Sequence, residues 1–148
     1  MATDKQKLGA FGETVVAKRC SCPRCKGNHT LRRLPTNFKC ADVICDFCGF
    51  LAQVKSVSTT QLDNIPKIVA GAAWGPQKSR MDAGIYFPLY LVLVDGRKHS
   101  VYYLGADYQL PEMFKKRAPL SASAKRAGWQ GFLYDLSVLP MGSIVRLL

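Results

Sequence analysis

The chain has 148 residues, 48% of them hydrophobic, and 21 Lys and Arg against 10 Asp and Glu give a formal charge of +11. That length suits a single domain with a real core, and the one-sided charge favours a polyanion partner over a neutral or acidic one. The longest strongly apolar stretch, Ile85 to Val94, holds Pro88 and stops at Asp95-Gly96, so it reads as a strand and excludes a membrane span.

The N-terminal segment Met1 to Lys7 is polar and lacks the apolar run of a secretory signal. The expected location is therefore the cytoplasm, where thiols stay reduced. Leu8, Phe11, Val15 and Val16 recur at spacings of three and four, which predicts a first helix from about Asp4 to Arg19. Gly9 and Gly12 are its weak points. Glu13 falls off the apolar stripe, so solvent is its expected surrounding.

A cysteine-rich segment follows, then two short strands flanking a turn, Asn37 to Ile44 and Gly49 to Val57. Ser58 to Arg80 is rich in Gly, Pro, Thr and Gln and reads as a long loop, with Ile65 to Ala73 as a helix candidate. Leu89 to Val94 and His99 to Leu104 are β-rich runs joined by Asp95-Gly96-Arg97-Lys98, the pattern of a hairpin. Past Pro111, Glu112 to Arg117 reads as a short helix, and Phe132 to Leu136 and Ser143 to Leu148 as strands. The balance is α/β in one compact unit.

Six cysteines stand at 20, 22, 25, 40, 45 and 48, and Cys22-Pro-Arg-Cys25 and Cys45-Asp-Phe-Cys48 form two knuckles with 19 residues between them. A tetrahedral Zn2+ takes four soft ligands, and a two-residue gap lets both thiolates of one turn reach it. Four thiolates leave no open position, so this zinc is expected to be structural. Gly27 and Gly49 follow the knuckles where a tight turn needs positive φ. Cys20 and Cys40 read as core thiols, with Cys20 as a competing ligand.

The second knuckle lies between Asp42 and Ala52-Gln53-Val54-Lys55. If the two strands pair, Asp42 and Gln53 approach each other across the hairpin, and Gln53 and Lys55 project together while Val54 turns to the core. Oxygens that hold Mg2+ beside a lysine cation are what metal-assisted phosphodiester hydrolysis needs. Glu13 is a further candidate oxygen. On its own residues, this grouping reads better as a surface Asp beside an exposed Gln and Lys.

The basic residues come in groups: Lys18-Arg19, Arg32-Arg33, Lys115-Lys116-Arg117 and Lys125-Arg126. Lys115, Lys116, Arg117, Lys125 and Arg126 read as a strip that tracks a phosphate backbone, and Trp129 as a core residue behind it. Trp74, in Ala73-Trp74-Gly75-Pro76, reads as a turn residue.

Several ordered features resemble the catalytic domain of DpnI-type restriction endonucleases, of the PD-(D/E)XK superfamily. They are Gly12-Glu13, the two knuckles, Ala41-Asp42, Gln53-Val54-Lys55-Ser56, and Ala118-Pro119-Leu120. Arg126-Ala127-Gly128-Trp129-Gln130-Gly131, Asp135-Leu136-Ser137, Pro140 and Gly142 complete the series. The resemblance implies one domain over 1–148, a central mixed sheet flanked by helices with zinc knuckles at 22–25 and 45–48. It implies Asp42, Gln53 and Val54 as Mg2+ ligands, Lys55 as catalytic lysine and Glu13 as a helix-borne glutamate. The implied reaction is Mg2+-dependent hydrolysis of double-stranded DNA.

Two departures stand out: the second acidic position is Gln53, and the winged-helix domain of DpnI-type enzymes is not expected within these 148 residues. A homodimer or a separate specificity subunit would suit such an enzyme. The alternative is a catalytically silent, zinc-containing DNA-binding module acting with a partner. A zinc-ribbon protein of a larger complex would explain the charge and the knuckles but not the spacing of Asp42 and Lys55.

Overall fold

The computed structural model describes residues 2–35, 38, 41–116, 122–123 and 129–148. Helix α1 runs over Asp4–Arg19, as the periodicity predicts. Thr3 caps it: its hydroxyl accepts from the Gln6 N–H at 3.2 Å, and the Gln6 side chain accepts the Thr3 N–H at 2.9 Å. This reciprocal box satisfies two otherwise orphaned donors. Gly12 is not the weak point expected. A Cβ there would lie 1.9 Å from Ser56 Oγ and 3.5 Å from Val92 Cβ, so the glycine is what lets the helix lie close on the sheet.

Nine strands follow among the described residues: β1 Leu31–Arg33, β2 Val43–Cys45, β3 Leu51–Ser58, β4 Ile68–Trp74, β5 Leu89–Asp95, β6 Lys98–Leu104, β7 Phe114–Lys116, β8 Trp129–Asp135 and β9 Ile144–Arg146, with helix α2 at Gly75–Asp82. Six make a central mixed sheet in the order β1-β2-β3-β5-β6-β9. Among the described residues only β3 and β5 run parallel, in register from Gln53↔Leu89 to Ser58↔Val94. The chain between them leaves the sheet and contributes β4 to a second, three-stranded antiparallel sheet ordered β4-β8-β7.

Strand β5 explains its own continuous apolar run, because it is buried on both faces. Tyr90, Val92 and Val94 meet α1, β2 and β3 in one core with Val15, Val16, Val43 and Val54. Leu89, Leu91 and Leu93 face a second core built with Val69, Met113, Phe132 and Tyr134. The central mixed sheet is thus as expected, but one expectation needs correction. The face opposite α1 is covered mainly by the second sheet, not by a helix.

Other differences have local causes. Ile65 to Ala73 forms no helix; most of it is β4, paired with β8 from Ile68↔Asp135 to Trp74↔Trp129. Gly71 suits the close approach of β8 rings, since a Cβ there would sit 2.8 Å from Phe132 Cζ. A tertiary partner overrides helix propensity here. Glu112 to Lys116 is a single 3-10 turn at Pro111–Met113 running into β7, held by pairing with β8. The expected strand from Asn37 shrinks to Val43–Cys45, and 37, 39 and 40 lie outside the described residues. The Leu89–Asp95 and Lys98–Leu104 hairpin is present, turning at Gly96 with φ of +61°.

Candidate functional site

The two knuckles are copies of one turn. Lys26 N–H donates to Cys22 O and Gly49 N–H to Cys45 O, each at 2.9 Å, and Cys22 and Cys45 donate to the carbonyls of Gly27 and Phe50. The residue after each knuckle is left-handed: Lys26 with φ of 63° and Gly49 with φ of 80°. Gly49 behaves as expected. At the first knuckle the strained position falls on Lys26, one residue before Gly27.

These turns bring the sulfurs of Cys22, Cys25, Cys45 and Cys48 within 4.8 Å of one another. The Cys22–Cys48 and Cys25–Cys45 separations are 3.6 and 3.7 Å. A covalent disulfide would need about 2 Å. Four sulfurs around a tetrahedral zinc, each about 2.3 Å from it, stand about 3.8 Å apart. The donor set therefore fits a metal such as zinc. Burial raises the Cys45 thiol, but a hydrogen bond with Thr30 and those from the Cys48 and Phe47 N–H groups outweigh it and bring it down to about 6. Cys20 is buried outside the group of four, and burial pushes its thiol up to about 11. Cys40 lies outside the described residues.

The second constellation forms where β2 and β3 part. They share only the rungs Val43↔Ala52 and Ile44↔Leu51. On the far side of β3, Gln53 N–H donates to Pro88 O at 2.8 Å. The next N–H, of Val54, points toward the departing β2 and is taken by Asp42 Oδ2 at 2.7 Å. Asp42 is itself pinned by its own N–H to Ala52 O and its carbonyl to Leu34 N–H. A carboxylate thus replaces the next rung of the ladder.

Gln53 and Lys55 alternate with Ala52 and Val54, whose side chains join the α1 core. Lys55 is held below its ordinary range by burial, against the pull of Asp42 and Glu13. Asp42 is pushed up by burial, with the Val54 N–H, Lys55 and Arg33 opposing. Glu13 is pushed up by burial and then by Asp42, and pulled back by Arg33 and Lys55. Each group acts electrostatically on the others, so Glu13, Asp42 and Lys55 are neighbours. Glu13 is not solvated as its wheel position suggests; its side chain is 21% exposed, 3.4 Å from Arg33.

A model of the DpnI family, described as Dam-replacing, matches residues 1–148. The chain belongs to the Dam-replacing family. Membership points to a restriction-enzyme-like role, and in this family member two further residues contact the group.

Arg33 ends β1, which was not foreseen as a strand, and reaches Glu13 Oε1 and Thr14 Oγ1, each at 3.4 Å. Its only signal was membership of a basic pair. Tyr134 on β8 donates its hydroxyl to Gln53 Oε1 at 3.2 Å from within the second core. Its alternation with Phe132 marks a strand, but nothing in the sequence names its partner.

The basic strip is only partly described in this Dam-replacing family member. Lys115 is half exposed and 3.9 Å from Asp135 Oδ2. Lys116 ends β7, with its side chain outside the described residues, as are Arg117, Lys125 and Arg126 altogether. Trp74 and Trp129 face each other at one end of the β4–β8 ladder, Trp74 closing a strand where a turn was expected; their side chains also lie outside the description. No helix among the described residues is long and apolar enough to cross a membrane.

Proposed function

We propose that this chain is a Mg2+-dependent DNA endonuclease or nickase with a PD-(D/E)XK-type site, and that zinc on Cys22, Cys25, Cys45 and Cys48 is structural. The observation that carries the reading is the Asp42 carboxylate bound to the Val54 N–H where β2 leaves β3, with Gln53 and Lys55 beside it on β3. A carboxylate, an amide oxygen and an ammonium on one short stretch of two strands suit the attack of water on a phosphodiester.

Asp42, Gln53 and the main chain of Val54 would hold Mg2+, with Glu13 as a further oxygen. When bound, the ion supplies Lewis-acid polarisation of the phosphate and lowers the pKa of its water. Lys55 orients the attacking water and, because burial loosens its proton, can exchange one with it. Arg33 offsets part of the carboxylate charge while no phosphate is present. Tyr134 fixes the Gln53 amide from behind. The formal charge of +11 favours double-stranded DNA as the partner through phosphate contacts and counterion release.

The test is incubation with methylated and unmethylated plasmid across divalent metals. Cleavage is expected with Mg2+ or Mn2+, and Asp42→Ala and Lys55→Ala should each lower it by about 100-fold or more. Cutting that survives both substitutions rejects this site.

One observation favours a second reading, a silent DNA-binding module serving a partner protein. Gln53 brings no charge, and its oxygen already accepts from Tyr134. That reading predicts salt-sensitive DNA binding without cutting, and a gain of cleavage in Gln53→Glu.

A further inference from the structure

Phe47 is 79% exposed, the most exposed aromatic side chain among the described residues, and it sits at the tip of the second knuckle. The backbone around it is fixed. Cys45 N–H donates to Phe50 O at 2.8 Å, and Asp46 N–H to Thr30 O and Gly49 N–H to Cys45 O at 2.9 Å each. A single exposed apolar side chain is ordinary on a protein surface. This one is set apart by its neighbours. Arg32 reaches Asp46, the residue before it, with Nε 3.1 Å from Oδ2. Arg24 crosses from the first knuckle and donates to the carbonyl of Cys48, the residue after it, at 3.5 Å. Two guanidinium groups are thus brought to the residues on either side of one solvent-facing ring.

Between Glu13 and Asp42 the sequence has no acidic residue, while Lys and Arg recur throughout. Asp46 is the carboxylate of the patch, and its pair with Arg32 is half exposed, 49% and 55%. A pair so open to water holds weakly and yields to a phosphate. The patch is also continuous with the candidate site. Arg32 pairs with Ile44 and Ile44 with Leu51, so the three share the face that Gln53 takes two residues further along β3. Ile44 and Leu51 belong to neither core. Two residues along a strand span about 7 Å and two strands across about 10 Å, which puts Arg32 about 12 Å from Gln53. On a duplex rising about 3.4 Å per base pair, that is three or four pairs.

We infer that the tip of the second knuckle is a further contact surface for double-stranded DNA, with Arg24 and Arg32 on backbone phosphates and Phe47 against the minor groove between them. The chemistry selects the partner. Guanidinium groups hold phosphates, and a bulky apolar side chain between them fits a groove whose walls are sugars and base edges. Asp46 holds Arg32 in place while no DNA is bound. The inference rests on the DNA reading of the chain but not on cleavage, and it applies equally to a silent binding module.

The test is binding of the full chain to a fluorescein-labelled duplex without Mg2+, followed by anisotropy across a salt series. Arg24→Ala and Arg32→Ala should each weaken binding about tenfold at low salt and reduce the slope of log affinity against log salt by about 0.9, one phosphate each. Phe47→Ala should weaken binding about tenfold with the slope unchanged, since a ring releases no counterion, and Phe47→Trp should restore it. Asp46→Asn should tighten binding, because it frees Arg32 and removes a repelling charge. A role confined to holding the knuckle together predicts the opposite. All four side chains are exposed, so melting temperatures should stay at the wild-type value. If an alanine variant melts early, Asp46→Asn decides by the sign of its effect. Variants that bind the duplex like wild type overturn the inference, as does Asp46→Asn that binds no better. So does Phe47→Ala that breaks a dimer of this chain and leaves DNA binding untouched, which would make the patch a contact between copies. Wild type that binds no duplex at low salt ends the DNA reading itself, a separable result.

Discussion

Asp42 concentrates the tension between stability and function at the scale of one residue. Burial pushes its carboxyl up even after the Val54 N–H, Lys55 and Arg33 have pulled it back. A folded-state pKa above the unfolded value means that the ionised form is the disfavoured one in the fold. Its stabilising contribution is complete below the unfolded carboxylate range and lost as pH rises through the folded pKa. The metal-free protein at neutral pH therefore carries a penalty that a bound cation would relieve. Asp42→Asn keeps an oxygen for the Val54 N–H and removes the charge. We expect this variant, without metal, to match wild type at neutral pH or exceed it by up to about 1 kcal/mol, as functional residues often permit. The difference should shrink as pH falls below the carboxylate range, and added Mg2+ should raise the melting temperature of wild type only. Urea unfolding at two pH values checks this, and a metal-free Asp42→Asn clearly weaker than wild type contradicts it. That Gln53 and Lys55 share one face of β3 was legible from strand alternation, while Asp42 stood out through the family resemblance. Arg33 and Tyr134 were not legible, because one comes from a three-residue strand and the other from a separate sheet.

At the scale of elements, α1 shows how a residue that weakens a helix can strengthen a fold. Alanine is a better helix former than glycine by about 1 kcal/mol, so sequence propensity alone favours Gly12→Ala. The sheet beneath opposes it. The new Cβ would meet Ser56 Oγ at 1.9 Å and Ser56 Cβ at 3.2 Å. The hydroxyl must turn away, and the helix still presses on β3. Overpacking of that kind costs about 1–3 kcal/mol, enough to reverse the propensity gain. Gly12→Ala should therefore destabilise by about 1 kcal/mol, and adding Ser56→Ala should recover most of it, a coupling that a double-mutant cycle measures directly. Additive effects in the cycle would show that the two residues do not oppose each other. Glu13 is the next residue, so the lifted helix should also draw its carboxylate away from Asp42. The helix limits and the β5–β6 hairpin were readable because their signals are local. Strand β4 was not: Ile-Val-Ala-Gly-Ala-Ala-Trp becomes a strand only through β8, more than fifty residues away.

Across the whole molecule, the two cores differ in what holds them. One packs α1 and strands β1 to β3 around Cys22 and Cys45, so the candidate metal site is part of its wall. The other, built from Leu89, Leu91, Leu93, Met113, Phe132 and Tyr134, includes none of the four cysteines. Strands β1 and β2 are three residues each, shorter than a sheet edge normally needs to persist by itself. Their anchor is the cluster: Cys45 ends β2 and pairs with Leu31, and Thr30 sits 3.2 Å from the Cys45 sulfur. Removing the metal would leave thiols that no longer hold the knuckles together. Chelation should then unfold the molecule unevenly. Amide hydrogen exchange is expected to rise first in 20–34 and 41–50 and only later in β5, β6 and β8, following the local order of stability. Asp42 belongs to the loosened half while Gln53 is tied to Tyr134 in the other, so stripping zinc should abolish any Mg2+ response without touching a Mg2+ ligand. Exchange that rises uniformly, or β1 and β2 that stay protected in chelator, would show that the apolar core alone holds the hairpin.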